Sequence, residues 1–214
     1  MKTGVLFDLD GTLLDTLADL ADAVNVALGQ FDYPRRSLEE VRRFVGNGAA
    51  RLIALAVPDG ADPEPVFAAF RTFYDAHCRV KTGPYPGILE ALAQIGREYP
   101  VAIVSNKPDS AVKALCADYF PGVYALGECS DCPRKPAPDM VSKAMNAIGI
   151  DRCVYVGDSE VDVATAKNVG VPCLSVLWGF RDRQELEQAG AVHFCDHPEQ
   201  LYGQIKGMLS LDAE

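Results

Sequence analysis

The chain contains 214 residues, of which 49% are hydrophobic and 23% are charged. A chain of this length and balance can bury a substantial core, which argues against a disordered or fibrous protein. The formal net charge of -10 at pH 7 argues against nucleic-acid binding, because a phosphate backbone would be repelled.

Two further features concern the compartment and the partners. No apolar run reaches the roughly 18 residues of a membrane span, so we expect no transmembrane helix and no membrane partner. The seven cysteines are an odd number scattered along the chain, which favours free thiols in a reducing compartment. We therefore expect a cytoplasmic protein, and the sequence leaves open whether it is a monomer or a homodimer.

The first predicted elements are a buried β-strand and a long helical region. An apolar run interrupted by Asp8 predicts the strand at residues 5–9. Apolar residues then recur at the spacing of an amphipathic helix. Proline and glycine interrupt this helical region near residue 34, at residues 46–48 and at residues 58–65. We expect an all-helical cap at residues 16–80, inserted after the first strand.

The second half of the chain alternates short apolar runs with helical patterns. The runs lie at residues 101–104, 123–126, 153–156 and 172–176. This rhythm predicts a doubly wound parallel α/β sheet. Residues 1–15 and 81–214 would form this core domain, and the glycines and prolines at residues 83–87 would form the return linker and a hinge.

Paired acids mark the end of the first predicted strand. Asp8 and Asp10 stand in the sequence Asp8-Leu9-Asp10-Gly11-Thr12. Two residues apart on an extended strand, their side chains would point the same way at the edge of the sheet where ligands bind. Such a pair needs a positive charge, and a hard cation with oxygen ligands is the usual answer. A plain strand that ends in an Asp-Gly turn is the alternative.

A second pair of acids, Asp158 and Asp162, follows the apolar run at residues 153–156. A helix is expected to begin near Ser159, which would place Asp158 at a strand end and Asp162 on the first helical turn. With Asp8 and Asp10, Asp158 could converge on one magnesium ion. The alternative is a helix N-terminus with two acids that match the helix dipole.

Polar residues also mark one other predicted strand end and one segment that precedes a helix. Ser105 and Asn106 end the run at residues 101–104 and suit phosphoryl oxygens, although they could form an ordinary turn. Lys135 lies before Pro136 on a stiff segment, as a fixed counter-charge requires, although a lysine on a solvated loop is also common.

In this order, the four segments closely resemble the motifs of the haloacid dehalogenase superfamily, and the resemblance covers essentially the whole chain. It implies a HAD-like Rossmannoid core with an inserted helical cap and a magnesium-dependent phosphomonoester hydrolase. Asp8 would attack phosphorus and form an aspartyl-phosphate, while Asp10 would act as acid and then as base. Ser105 would bind a phosphoryl oxygen and Lys135 would compensate charge.

The same resemblance implies the ligands of the magnesium ion. The Asp8 carboxylate, the backbone carbonyl of Asp10 and the Asp158 carboxylate would hold it. Asp162 would stand one shell further out, where it would hold metal-bound water or orient Lys135.

Three segments resemble the phosphoglycolate phosphatase branch: Thr12-Leu13-Leu14-Asp15-Thr16, Val45-Gly46-Asn47-Gly48 with Arg51-Leu52, and Ser105-Asn106-Lys107-Pro108. The partner would be a small phosphorylated metabolite, with 2-phosphoglycolate as the leading candidate. Thr12, Asn106, Asn47 and Arg51 would contact it, with Arg51 available for the substrate carboxylate. A solvated cap residue is the alternative for Arg51.

Other functions remain open at this point. A β-phosphoglucomutase-like mutase shares all four motifs and differs in retaining the phosphoenzyme. A receiver-type signalling module is also phosphorylated on aspartate, but the first-strand position of Asp8 and the large cap argue against it. The pair Cys129 and Cys132 stands alone, without a second pair at zinc-site spacing.

Overall fold

The computed structural model describes residues 1–211. Its eight strands are β1 (Thr3–Phe7), β2 (Leu14–Asp15), β3 (Gly83–Pro84), β4 (Val101–Pro108), β5 (Tyr124–Glu128), β6 (Arg152–Gly157), β7 (Cys173–Val176) and β8 (Phe194–Cys195). Six of them form one parallel sheet in the order β5-β4-β1-β6-β7-β8. β2 and β3 form a separate antiparallel pair.

The ten helices divide between two regions of the chain. α1 (Leu17–Gly29), α2 (Leu38–Phe44), α3 (Ala49–Ala56) and α4 (Pro63–His77) are called the cap. The others are α5 (Ile88–Ile95), α6 (Asp109–Tyr119), α7 (Asp139–Ile148), α8 (Glu160–Val169), α9 (Arg183–Gln188) and α10 (Leu201–Leu211), with a 3-10 turn at Pro198–Gln200. The parallel α/β core with a helical cap that the sequence predicts is therefore confirmed.

The central strand β1 is apolar along its length because both its faces are covered. Val5, Leu6 and Phe7 have no solvent exposure, and successive side chains enter the two hydrophobic clusters on opposite faces of the sheet. Phe7 pairs in register with Ile103 of β4 and with Val156 of β6. The carboxyl ends of β1, β4 and β6 therefore lie side by side.

The first strand is shorter than the sequence predicts. β1 ends at Phe7 rather than at Leu9, because the amides of Leu13 and Leu14 both donate to the Leu9 carbonyl and turn the chain. Gly11 adopts φ 81° within this turn, a conformation that favours glycine. Asp8 and Asp10 thus lie in the turn after the strand and not on an extended segment. The sequence did not predict β8, because a strand of two residues has no recognisable apolar pattern.

The cap has a hydrophobic cluster of its own. It contains buried residues from all four helices, among them Leu28, Ile53 and Phe70. Two residues from outside the cap, Ala111 and Phe180, join this cluster and connect the cap to the core. The domain boundaries at residues 15/16 and 80/81 stay a prediction.

The two connections between cap and core are held together. In the β2–β3 pair, Leu14 lies opposite Pro84 and Asp15 opposite Gly83. The carboxylate of Asp19, in the first turn of α1, is 3% exposed and accepts from the backbone amides of the return segment, at 3.0 Å from Lys81 and 2.9 Å from Thr82. A single buried side chain therefore joins the start of the cap to its end.

Within residues 1–211, no helix combines the length and the hydropathy needed to cross a membrane.

We expect Asp19→Ala to lower the free energy of unfolding by about 3 kcal/mol, because it leaves two backbone amides without a partner. Chemical denaturation measures this change. Asp22→Ala is the matched control one turn further along α1: Asp22 forms an exposed ion pair with Lys81, and its loss should leave the free energy nearly unchanged. Equal effects of the two substitutions would contradict the connecting role of Asp19.

Candidate active site

A cavity lies between the cap and the carboxyl ends of β1, β4 and β6. Its core wall is polar and its cap wall largely apolar. The core contributes Asp8, Asp10, Ser105, Asn106, Lys107, Asp158 and Ser159, and the cap side contributes Leu20, Gly46, Gly48, Leu52, Phe70 and Tyr74 among others. This is the edge of a parallel sheet where ligands bind.

Asp8 is the first residue after β1 and is fixed by its backbone. Its amide donates to the Val156 carbonyl at 2.9 Å. Its Oδ1 atom lies 2.9 Å from Lys135 Nζ in a buried ion pair. Burial raises the pKa of Asp8 to about 7; Lys135 opposes this effect and the charge of Asp162 adds to it. The charged form of Asp8 is therefore destabilised by burial and by the neighbouring carboxylate of Asp162.

Lys135 is held at all three of its N–H groups. Its ammonium lies 2.9 Å from Asp162 Oδ1, 3.0 Å from the Tyr155 hydroxyl and 2.9 Å from Asp8 Oδ1. Burial alone would lower the pKa of Lys135, but the carboxylates of Asp162 and Asp8 raise it well above its ordinary value. The ammonium stays charged and cannot rotate away.

Asp162 uses both its oxygens within the protein. Oδ1 pairs with Lys135, and Oδ2 accepts from the Ser159 hydroxyl at 2.7 Å and from the backbone amides of Ser159 and Asp158. The helix α8 begins with this capping box. Of the two roles that the resemblance implies, the geometry favours the one in which Asp162 orients Lys135.

Asp158 is completely enclosed. Its Oδ1 accepts from the Thr12 hydroxyl at 2.8 Å, and its Oδ2 accepts from the Phe180 amide at 2.8 Å. Burial, reinforced by the charges of Asp162 and Asp8, raises its pKa well above the ordinary value. A Cβ atom at Gly11 or Gly179 would overlap the Asp158 side chain, so glycine is required at both positions.

The two substrate contacts that the sequence predicts from the core, Thr12 and Asn106, bond to other protein groups in this structure, and their contact with substrate stays a prediction. Thr12 has no solvent exposure and donates its hydroxyl to Asp158, so it supports that carboxylate instead of facing the cavity. Asn106 lines the cavity, but its amide nitrogen donates to the carbonyls of Gly46 and Lys135. Only an acceptor oxygen is left on Asn106, and an acceptor does not bind a phosphoryl oxygen.

The predicted contacts from the cap are also not brought to the cavity. Arg51 is exposed on α3, whose buried side carries Ala49, Leu52 and Ile53. Asn47 is half-buried between Gly46 and Gly48. Of these three residues, the two glycines line the cavity and Asn47 does not. Ser105, in contrast, lies on the cavity wall as predicted, 2% exposed.

The sequence interpretation missed Lys107. Its side chain is 2% exposed, its ammonium lies 2.7 Å from Asp10 Oδ1, and it lies 4.8 Å from the ring centre of Tyr74 in the cap. The sequence did contain a signal for this residue: Lys107 lies two residues after Ser105, in a segment predicted to end a strand.

Arg181 was missed as well, and no sequence signal marks it. This buried side chain donates to the carbonyls of Val45 at 2.8 Å and Arg42 at 3.1 Å, at the end of α2. In return, Arg42 donates to the Gly179 carbonyl at 3.1 Å. The two arginines fasten the cap to the loop that supports Asp158.

The acid cluster has the chemistry of a divalent cation site. Asp8, Asp158 and Asp162 each offer a carboxylate oxygen within 4.8 Å of the others. Asp8 Oδ1 is buried and has no partner among the described residues apart from its ion pair with Lys135. Oxygen donors of this kind suit magnesium, which binds through one or two carboxylates and keeps several waters. The residues fit the ion that the sequence predicts.

Comparison with known proteins gives a consistent result. The model of the haloacid dehalogenase-like hydrolase family matches residues 5–176. The phosphoglycolate phosphatase of Rhodobacter capsulatus is 37% identical over 195 residues, covering 85% of this chain and 87% of the relative. Phosphoglycolate phosphatase 1 of Pseudomonas aeruginosa is 32% identical over 210 residues, covering 92% and 77%.

A solved structure is similar over nearly its full length. The crystal structure of a candidate phosphoglycolate phosphatase from Lactobacillus delbrueckii subsp. bulgaricus has a TM-score of 0.90 and 36% identity to this chain. The match covers 96% of this chain and 99% of that one.

The raised pKa of Asp8 predicts how stability depends on pH. Without metal, the proton on folded Asp8 stabilises the fold at pH 4 and below, and this contribution is lost as pH rises to about 7, because the folded pKa exceeds the ordinary value of 3.8. Magnesium binds the deprotonated form. In thermal denaturation, we expect magnesium to raise Tm more at pH 8 than at pH 5.

Asp8→Asn serves as the control for this measurement, because it removes the titrating group. The difference between the two pH values should shrink in this variant. An equal magnesium-induced rise in Tm at pH 5 and pH 8 in the unmodified protein would contradict the assignment of Asp8 to the metal.

The position of Thr12 predicts an effect on metal binding. Thr12→Val keeps the shape and removes the hydrogen bond to Asp158. We expect the magnesium concentration that gives half of the Tm shift to rise about tenfold, with a change of less than about threefold in the affinity for inorganic phosphate at saturating magnesium. The opposite pattern would restore the substrate contact that the sequence predicts.

Proposed function

This chain belongs to the haloacid dehalogenase-like hydrolase family, and we propose that it is a magnesium-dependent phosphatase that hydrolyses 2-phosphoglycolate through an aspartyl-phosphate on Asp8. The family and the phosphoglycolate phosphatase relatives identify it as a phosphoric monoester hydrolase. The observation that supports the mechanism most strongly is the buried ion pair of Asp8 with a lysine that Asp162 and Tyr155 hold in place.

The first step forms the covalent intermediate. The Asp8 carboxylate attacks phosphorus as the bond to the leaving oxygen breaks, and Asp10 gives that oxygen a proton. Asp8, the backbone carbonyl of Asp10 and Asp158 would hold magnesium, which supplies positive charge for the phosphoryl oxygens. Ser105 would donate a hydrogen bond to one of these oxygens, and Lys135, held behind Asp8, would compensate the negative charge.

The second step releases phosphate. Asp10 takes a proton from a water molecule, whose oxygen attacks phosphorus, and the Asp8 carboxylate leaves in its original form. The Lys107 ammonium lies 2.7 Å from Asp10 Oδ1 and would hold this side chain in position for both proton transfers.

The cap would exclude water from the aspartyl-phosphate until the correct substrate is bound. The contacts that close it here are the Arg181 bonds to α2 and the Asn106 bond to Gly46. Because they are hydrogen bonds between side chains and backbone carbonyls, water can replace them when the cap opens. The extent of this opening stays a prediction.

The compartment and the assembly are further parts of the proposal. All seven cysteines are free thiols, which supports a reducing compartment and a cytoplasmic location. A monomer or a homodimer stays the prediction for the assembly.

A phosphate-release assay with magnesium tests the proposal on 2-phosphoglycolate, pyrophosphate, sugar phosphates and nucleotides. We expect the highest kcat/KM on 2-phosphoglycolate and a loss of about 1,000-fold or more in kcat for Asp8→Asn, which lacks the nucleophile. Asp15→Asn, at an exposed aspartate of the same segment, is the matched control and should retain activity.

The assay separates the parts of the proposal. Turnover retained in Asp8→Asn would reject the nucleophile. Equal, low activity on every compound would reject 2-phosphoglycolate and leave the phosphatase chemistry standing. Isomerised sugar phosphate without phosphate release would indicate the mutase.

A further inference from the structure

The cavity offers one cation that the proposed mechanism does not place on the phosphoryl group. Among the described residues that line it, Lys107 alone is basic. Lys135 lies behind Asp8 with all three of its N–H groups engaged. Lys107 donates to Asp10 Oδ1 and also approaches the Tyr74 hydroxyl, so one of its three donors remains for a ligand.

A second unused donor lies next to it, on the cap. Tyr74 is 2% exposed and lines the cavity; its hydroxyl oxygen lies near the Lys107 ammonium, but its hydroxyl proton has no acceptor among residues 1–211. Its ring lies 4.8 Å from the Lys107 ammonium. A buried hydroxyl without a partner is costly, and such groups commonly await a ligand or water. A core cation and a cap donor therefore meet at one point.

We propose that Lys107 and Tyr74 together bind the carboxylate of the substrate and so determine specificity for a phosphorylated acid. This inference rests on the proposed function and names the residues that recognise the end of the substrate away from phosphorus. Lys107 supplies the charge, and the Tyr74 hydroxyl supplies a second hydrogen bond from the cap.

The position of Lys107 fits a two-carbon acid. Asp10, its ion-pair partner, serves the leaving oxygen, and in 2-phosphoglycolate only one methylene separates that oxygen from the carboxylate. The methylene can lie against the apolar cap side chains of Leu20 and Phe70. Arg51, which the sequence suggested for this role, does not line the cavity.

The proposal also explains how substrate and cap are linked. A carboxylate held by Lys107 from the core and by Tyr74 from α4 would bridge the two parts of the protein. A substrate without a carboxylate would leave the Tyr74 hydroxyl unpaired and gain nothing from the Lys107 charge. Selectivity would then have two sources: the attraction of the carboxylate to Lys107, and the free-energy cost of leaving buried polar groups without hydrogen bonds when another substrate binds.

The test compares two substrates of similar size, 2-phosphoglycolate and 2-hydroxyethyl phosphate, in which a hydroxymethyl group replaces the carboxylate. The variants are Lys107→Gln, which keeps a donor for Asp10, and Tyr74→Phe, which keeps the ring. The readout is the ratio of the two kcat/KM values, with Tm as the check on folding. Lys113→Gln, at an exposed lysine on α6, is the matched control.

We expect the ratio to fall about 10- to 100-fold in Lys107→Gln and about 3- to 10-fold in Tyr74→Phe, mainly through KM for 2-phosphoglycolate. The control should keep the ratio of the unmodified enzyme. Tyr74→Phe should also keep Tm nearly unchanged, because the Tyr74 hydroxyl donates to no group among residues 1–211. If Lys107→Gln does not fold, Tyr74→Phe decides the question by the same ratio.

An unchanged ratio would overturn the inference. Rates on both substrates that fall together in Lys107→Gln, with no effect of Tyr74→Phe, would mean that Lys107 only positions Asp10. A different result rejects the proposed function itself: an unmodified enzyme that does not prefer 2-phosphoglycolate over 2-hydroxyethyl phosphate has another substrate.

Discussion

The buried ammonium of Lys135 is the interaction on which the rest of the site depends. Asp8, Asp158 and Asp162 place carboxylate oxygens within 4.8 Å of one another in a region closed to water. Without a buried cation, their mutual repulsion and desolvation would oppose folding. Lys135 compensates this charge from one side, and a divalent metal can do so from the other. In the proposed mechanism, this charge balance is complete only when the metal is bound, and Asp8 is then the reactive nucleophile.

The support extends from this cluster outward to the cap. The Phe180 amide fixes Asp158, and the next residue, Arg181, holds the end of α2. Arg42 returns a hydrogen bond to Gly179 in the same loop. The position of the cap and the shape of the metal site thus share one short segment. The two lysines contact different acids. Lys135 pairs with Asp8, the proposed nucleophile, and Lys107 pairs with Asp10, the proposed acid and base.

The sequence by itself determined the fold class and the main part of the site. Short apolar runs separated by helical patterns can pair only as a parallel sheet covered on both faces, and the carboxyl ends of its strands must meet at one edge. Polar residues that follow those runs are therefore close in space whatever the details of packing. The resemblance to the haloacid dehalogenase superfamily then assigned Asp8, Asp10, Ser105, Lys135 and Asp158 together, and the structure places them around one site.

Only the tertiary structure decided which side chains face the cavity. Arg51 points outward because the burial of Leu52 and Ile53 sets the rotation of α3 about its axis. Thr12 turns to Asp158, a choice among polar partners that local sequence does not encode. Lys107 and Arg181 acquire their roles from partners about 97 and 136 residues away along the chain. Periodicity specifies which residues lie at an edge or on a face, whereas long-range packing specifies the atom that each one meets.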